Sequence, residues 1–462
     1  MHNKYSVLIK DTLIFTLGNL GSKLILFFMV PLYTNYLSTT EYGIADLVFT
    51  IAQFLIPIVS IVIHDAVIRF GLSKEVKRED VLLVGYIIVL ADIIIMLFLT
   101  PIIGLYKALA EWKWYLYAYT VLCIIDSINF NYLKVMDRNK LFSLLSVTKT
   151  LFMALFNIVL LVYCKAGIYG YLSASIFSLV MVNLLAFHYG NLKKELGKSC
   201  WNKQLFMEMS YFSMPLVLNN LSWWIIQSSN RVMVEQLIGV ATLGIYTVAA
   251  KIPALINVFI SIFSQAWGIS SIKEFENAND ADFYSKVQKT YMLIVSISCI
   301  SYVSFIKVFM FYYVGLQYYE AWKYVPLLLV SAVFSSVSSF YGTMYGVLKK
   351  SKNNMISTFL SAIINVFLNL YLLPIWGLWG AVISTCVSYF FISIYRMIDV
   401  GRFIKVNIDR TKFAVNYALL VLQAVFISNE KCIVEVSVLT LLCFIVNNYD
   451  DLKVVINIKS RR

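Results

Sequence analysis

Runs of about 20 apolar residues, separated by short clusters of lysine, arginine, asparagine and glycine, recur from one end of the chain to the other. A helix needs about 17–25 mostly apolar residues to cross a hydrocarbon core of about 30 Å. That template selects about fourteen segments: 12–34, 44–68, 81–104, 115–133, 141–163, 167–189, 205–228, 238–262, 290–312, 325–348, 356–373, 377–398, 413–428 and 433–447. The last two are the shortest, so the competing count is twelve helices with an irregular tail. The longest connections, 190–204, 264–289 and 399–412, are short and basic, with no room for an extramembrane domain. The pattern predicts an all-α polytopic membrane protein.

Composition agrees. Of the 462 residues, 60% are hydrophobic and 14% charged, against about 25% charged in soluble chains. The net charge of +13 raises nucleic acid as a partner, but the lysines and arginines sit between apolar spans, where topology and anionic headgroups account for them. With the N-terminus inside, 28 of the 38 fall at cytoplasmic ends, 6 on the opposite side and 4 within spans. An even number of spans with both termini cytoplasmic produces that bias, and the first apolar run, which carries Lys23 and Pro31, lacks the small-residue cleavage site of a signal peptide. The seven cysteines are scattered, with no CxxC pair or zinc spacing, so no metal site is expected. Nor is there a Walker A, GxGxxG, HExxH, filter-like or voltage-sensor-like pattern, which argues against an ATPase, a channel or an enzyme.

A faint repeat divides the chain. Thr40-Glu41-Tyr42-Gly43-Ile44-Ala45 after the first helix is answered by Thr242-Leu243-Gly244-Ile245-Tyr246 after the seventh. Ala166-Gly167-Ile168-Tyr169-Gly170 between helices five and six is answered by Trp376-Gly377-Leu378-Trp379-Gly380 between eleven and twelve. Equivalent elements lie six helices apart, an even number, so both copies enter the membrane from one side and two parallel bundles follow. The expected domains are a six-helix bundle over 1–190, a second over 191–400, and two further helices with a basic cytoplasmic tail over 401–462. A cavity is expected between the bundles, and an internally duplicated unit is expected to work as a monomer.

Ionisable residues within spans carry the sharpest local signal, because a charge at the bilayer centre costs about 2.5–3.5 kcal/mol even on the gentlest scale. Lys23, Arg231, Lys251 and Lys149 are the candidates for holding an anionic group such as a diphosphate; Lys307 is nearer the interface, where its stem can snorkel. The end of the seventh helix is unusually polar: Asn219, Asn220 and Gln227 are candidates for sugar hydroxyls, and Trp223 and Trp224 for stacking on sugar rings. Asp46 is placed to pair with Lys23 or Arg231. His64, Asp65 and Arg69 occupy successive turns, and an Asp65–Arg69 ion pair is the plainest expectation. Asp92 and Asp126 are the carboxylates available to a proton or sodium relay.

Three stretches carry a family resemblance: Gly18-Asn19-Leu20-Gly21-Ser22-Lys23, Phe27-Phe28-Met29-Val30-Pro31-Leu32-Tyr33-Thr34, and Leu37-Ser38-Thr39-Thr40-Glu41-Tyr42-Gly43-Ile44-Ala45-Asp46-Leu47. They continue through Pro57-Ile58-Val59-Ser60 and Asp65-Ala66-Val67-Ile68-Arg69-Phe70. In that order they resemble the bacterial polysaccharide repeat-unit flippases of the multidrug, oligosaccharidyl-lipid and polysaccharide exporter superfamily. The resemblance implies a V-shaped pair of six-helix bundles with two C-terminal helices in the bacterial inner membrane. It implies a transporter that moves undecaprenyl diphosphate-linked oligosaccharide to the outer leaflet by alternating access, for O-antigen or capsule synthesis, with no cofactor beyond an H+ or Na+ coupling ion. Cationic cavity residues are expected to hold the diphosphate, Glu41-Tyr42-Gly43 to set a turn, and helices 13 and 14 to be available to a polymerase or glycosyltransferase. His64 stands where an acidic residue often precedes the Ala-Val-Ile-Arg stretch. The alternatives are a flippase for a peptidoglycan or teichoic acid precursor and a cation-coupled multidrug antiporter.

Overall fold

A computed structural model of the chain describes residues 21–73, 75–277, 281–348, 350–404, 406–407, 409–430, 433–451 and 453; side chains at 223, 226, 227, 265, 266, 269, 272–277, 281, 351 and 410 fall outside that description. The described residues are helical almost throughout, as they must be where lipid offers backbone groups no hydrogen bonds. Ten of the helices are long and apolar enough, by length and composition, to cross a membrane. The protein is thus an all-α, multi-pass membrane protein, and it divides into two compact units, Met1–Val232 and Met233–Arg462.

In the first unit, α1 is seen over 21–36; residues 12–20 of the expected first span lie outside the described residues. It is followed by α2 (Thr39–Val59), α3 (Ile63–Gly71), α4 (Arg78–Ile103), α5 (Lys113–Val135), α6 (Asn139–Asn157), α7 (Gly167–Tyr189), the single-turn α8 (Leu192–Leu196) and most of α9 (Lys203–Leu237). The second helix differs from the continuous 44–68 segment expected of it. It starts at Thr39 because Ser38 and Glu41 form a capping box, Ser38 Oγ accepting from Glu41 N and the Glu41 carboxylate from Ser38 N. It stops at Val59 because Ile61 and Val62 are both left-handed, at φ 45° and 56°, a conformation that costs branched side chains about 1–2 kcal/mol each. Hydropathy does not register such a break, since both residues are apolar. The helix expected over 141–163 ends in a π-helical stretch, Ile158–Tyr163.

Val67, Val81, Leu82, Ile128, Tyr132, Leu205 and Met209 join α3, α4, α5 and the start of α9 in one buried cluster. A second, of Phe130, Leu133, Leu145, Val182 and Ala186, joins α5, α6 and α7. Polar ties close the end bearing the lysine-rich loops: Tyr132 Oη donates to Glu195 Oε2 at 3.0 Å, Arg78 reaches the same carboxylate at 3.2 Å, and Cys200 N donates to Asp80 at 2.7 Å. Phe98 on α4 is 73% exposed, an outward-facing apolar side chain of the kind a bilayer covers.

The second unit holds α10 (Val240–Asn277), α11 (Ala281–Tyr313), a short 3-10 turn at Leu316–Lys323, α12 (Val325–Val347), α13 (Ser351–Trp376), α14 (Leu378–Val400), α15 (Arg410–Ser428) and α16 (Ile433–Asn447). The expected loop over 264–289 is helical except at 278–280, which lie outside the described residues. Likewise α9 runs nine residues beyond the expected end at 228. At about 1.5 Å per residue, these helices outreach the hydrocarbon; a backbone that satisfies its own hydrogen bonds needs no membrane to continue. The α12 helix is central, 83% of its most apolar window being buried. Its Ser331, Ala332, Ser336 and Ser338 are small enough to let neighbouring helices approach closely, the packing device that replaces hydrophobic driving force inside lipid. Phe263 stacks on Tyr291 at 3.8 Å between centroids, and Trp267 on Phe340 at 4.7 Å, filling the space beside it.

Candidate functional site

The cations singled out in the sequence fall into distinct environments. Arg231, near the end of α9, lies 2.9 Å from Asp46 of α2, both half-buried, so of the two partners expected for Asp46 the structure selects arginine. Lys149 of α6 lies 2.8 Å from Asp126 of α5 and stands over the Phe130 ring at 4.9 Å. The anion candidate and the relay candidate are thus one ion pair, and any phosphate reaching Lys149 has to compete with a carboxylate already in place. Lys23 is exposed on α1 and forms no ion pair among the described residues. Lys251 is half-buried in α10, two residues before Pro253. Lys307 reaches Glu430 at 3.3 Å and the Trp322 ring at 4.9 Å.

The polar end of α9 is tied down in part. Trp224 donates its indole N–H to Thr50 O at 2.9 Å and packs on Phe54 at 4.7 Å, so its ring is a helix-packing element of the first unit. Asn220 donates to Leu216 O at 3.0 Å within its own helix, and Asn219 is exposed. The side chains of Trp223 and Gln227 lie outside the described residues.

Asp65 lies against His64, at 3.8 Å, rather than against Arg69, which is exposed and makes no ion pair among the described residues. Asp65 and Arg69 share α3 at the spacing expected, Asp65 in its first turn and Arg69 in its last, but the Arg69 side chain extends outward instead of folding back onto the carboxylate. Asn131 of α5 donates to the His64 carbonyl at 3.0 Å and holds that turn. Asp92 is 1% exposed on α4, and neither carboxylate oxygen has a hydrogen-bond partner among the described residues. Since Asp126 is engaged by Lys149, Asp92 is the relay candidate left without an assigned partner. Among the described residues no group of three or more His, Cys, Asp or Glu could hold a metal ion.

Sequence reading passed over Arg396, counting it among the cytoplasmic charges. It is 6% exposed between α12, α13 and α14, hydrogen-bonded to Ser357, Thr358, Ser338 O and Asn354 O. One turn on, Asp399 accepts from Tyr345 and Asn353 at 2.8 and 2.9 Å. The spacing of an arginine and an aspartate, three apart and inside the end of an apolar run, was the available signal.

The Asp46–Arg231 pair ties α2 to α9, so its two members should not act independently. In thermal unfolding of the detergent-solubilised protein, Asp46→Asn and Arg231→Gln should each destabilise, and the double variant should lose less than their sum by about 1 kcal/mol. Strict additivity would show that the two charges do not interact.

A family model described as polysaccharide biosynthesis protein matches residues 8–268. No curated protein sequence matches the chain. Among solved structures, the fold is similar to that of the lipid II flippase MurJ in an inward closed conformation, at a TM-score of 0.68 and 14% identity, covering 95% of this chain and 99% of that one. It is also similar to an inward-facing multidrug resistance MATE family transporter of the MOP superfamily, at a TM-score of 0.60 and 14% identity over 84% of this chain and 94% of that one. A MATE structure in complex with MaD3S aligns at 0.57 and 14% identity, over 85% of this chain and 94% of that one. Identities this low speak for the fold alone. The family match covers more than half of the chain, across the residues that carry its N-terminal signature and the Asp46–Arg231 and Asp126–Lys149 pairs, and by it the chain belongs to the polysaccharide biosynthesis protein family.

Proposed function

We propose that the protein is a transporter of the bacterial cytoplasmic membrane that flips a lipid-linked glycan precursor from the inner to the outer leaflet by alternating access, without making or breaking a covalent bond. The observation that carries this reading is the family match over residues 8–268, supported by a fold similar over 95% of the chain to a lipid II flippase. The reading takes the helices as fourteen spans, grouped as two six-helix bundles and a C-terminal pair.

The physical task is to carry a diphosphate and several sugars past hydrocarbon. Stripping headgroup hydration from such a charge is prohibitive in lipid, and a hydrated cleft with cationic side chains offsets it while the polyprenyl tail stays in the bilayer. Lys23, Lys251 and Arg231 are the residues we assign to the diphosphate, with Lys149 reached in competition with Asp126. Asn219, Asn220, Trp223 and Gln227 are assigned to sugar hydroxyls and rings. Trp224 is left out of this set because its indole N–H is already used by Thr50 O. Asp92 is the carboxylate we assign to an H+ or Na+ coupling ion.

Two precursor classes divide the reading. The similarity to MurJ favours a peptidoglycan precursor; the family description favours undecaprenyl diphosphate-linked oligosaccharide of a surface polysaccharide, delivered by a glycosyltransferase and consumed by a polymerase. Translocation in proteoliposomes, with both lipids offered to the purified protein, separates them. Wild type should move one class well above the other, and Lys23→Ala and Lys251→Ala should each slow it about tenfold, the loss of about 1.4 kcal/mol from one phosphate contact. Extrusion of a small cation under an ion gradient, with neither lipid moved, would replace the flippase with a multidrug antiporter and remove the lysine assignments.

A further inference from the structure

Where α11, α15 and the end of α16 meet, on the side to which the lysine bias assigns the cytoplasm, the second unit leaves a cleft of about 60 Å³, room for about four waters. Gln288, Lys289, Met292 and Ser296 line it from α11, and Phe413 and Asn416 from α15. Most of its polar groups are already engaged. Lys412 is paired with Asp451 at 3.1 Å. Asp409 caps α15 by accepting from Thr411 N and Lys412 N at 3.0 and 3.1 Å. Asn416 and Asn448 exchange amide hydrogen bonds at 3.0 and 2.8 Å.

Three groups remain. Gln288 is 3% exposed, lines the cleft and has no side-chain hydrogen bond among the described residues. Ser296, two turns deeper on the same face of α11, is also 3% exposed and likewise unpartnered. Lys289, exposed at the mouth, makes no ion pair among the described residues. Neither the Gln288 amide nor the Ser296 hydroxyl is a fully enclosed orphan; both keep their hydrogen-bonding capacity open to the cleft. An amide near the mouth, one uncommitted cation beside it and an apolar wall of Met292 and Phe413 leading inward describe a ligand with an anionic head, acceptor oxygens behind it and a greasy body.

We propose that this cleft binds a glycerophospholipid of the cytoplasmic leaflet, its phosphate at Lys289, its glycerol-ester oxygens toward Gln288, and an acyl chain along Met292 and Phe413. A free phosphate satisfies the lysine but leaves the apolar wall facing water; a lipid satisfies both. All the lining residues belong to the second unit, and none of them is assigned to the transported precursor.

Native mass spectrometry of the full chain in detergent, titrated with phosphatidylglycerol, phosphatidylethanolamine, sn-glycerol 3-phosphate and inorganic phosphate, tests it. Wild type should retain a phospholipid adduct that Gln288→Leu and Lys289→Gln each reduce at least fivefold, with no comparable adduct from the two soluble phosphates. Lys289→Gln changes an exposed side chain and leaves folding undisturbed, so it carries the test alone if Gln288→Leu fails to fold. Unchanged adducts in both variants overturn the proposal. So does a Gln288→Leu protein that melts higher and retains lipid as before, which would make the amide a packing defect. Soluble phosphates binding as well as the lipids would convert the cleft into a site for a soluble anion and overturn the lipid assignment.

Discussion

Replacing Gly167 by alanine should cost about 2–4 kcal/mol of stability, read as a lowered unfolding midpoint of the protein in detergent. Gly167 opens α7 at φ +52°, where a side chain is strained whatever the space around it. A Cβ there would also lie 2.7 Å from Glu41 Oε1. Both oxygens of that carboxylate are engaged: one accepts from Ser38 N and Ser38 Oγ, each at 2.8 Å, and the other from Ile168 N at 3.3 Å. Glu41 thus caps α2 and holds the start of α7 with one side chain, and a methyl group at 167 pushes it out of the second task. Gly377, between α13 and α14, supplies the control. It sits at φ +56° and ψ −139°, yet a Cβ there meets nothing within 4 Å. Gly377→Ala should therefore cost only the backbone strain, about 1–3 kcal/mol. In a Glu41→Ala background the penalty at Gly167 should fall toward that value. An undiminished penalty there would mean that strain alone, and not the carboxylate, makes position 167 a glycine.

Removing the Arg396 side chain should destabilise the second unit by about 3 kcal/mol or more. The guanidinium donates to Ser357 Oγ at 2.9 Å, Thr358 Oγ1 at 2.7 Å, Ser338 O at 3.0 Å and Asn354 O at 3.3 Å, and so joins α14 to α12 and α13. Arg396→Ala loses those charge-assisted bonds and leaves a void among three packed helices. Arg396→Met refills much of the volume and relieves the cost of keeping a cation out of water, so it should lose roughly half as much. Gly342 of α12 makes room for the guanidinium, since a Cβ there would collide with Arg396 Nη1. Gly342→Ala should accordingly destabilise wild type but be tolerated, or even help, in the Arg396→Ala protein. Thermal unfolding of the four proteins checks the sign of that coupling; a Gly342→Ala penalty that persists without the arginine would place its cause elsewhere on α12.

Much of the architecture was legible in the linear pattern because crossing a membrane is a local demand. A segment must be apolar over about 20 residues and helical, and both conditions are met or failed within the segment itself. The expected segments from 81–104 onward fall on described helix, that over 141–163 on α6 and its π-helical end, and ten of the described helices are long and apolar enough to cross a membrane. Glu41-Tyr42-Gly43 was readable as a turn and helix-start signature for the same reason, its capping box closing over three residues.

What hydropathy could not register depended on groups brought together from distant parts of the chain, or on backbone angles. The break after α2 rests on the left-handed Ile61 and Val62, whose side chains look like any other membrane residues. The extensions of α9, α10 and α11 beyond the lipid are polar and read as loops, though a helix satisfies its own backbone in water as well as in lipid. The ionisable residues show the division most clearly. Their presence within spans follows from the sequence, but each has several neighbours it might meet, and only the packing of α2 on α9, α5 on α6, and α14 on α12 and α13 selects Asp46 for Arg231, Asp126 for Lys149, and a ring of neutral oxygens for Arg396. By itself the sequence determined that the chain is helical, membrane-embedded and basic at alternate loops, because those properties are sums over neighbouring residues. Tertiary structure decided which of these charges pair with which groups of the protein, because a side chain's partner is set by the face its helix turns toward another.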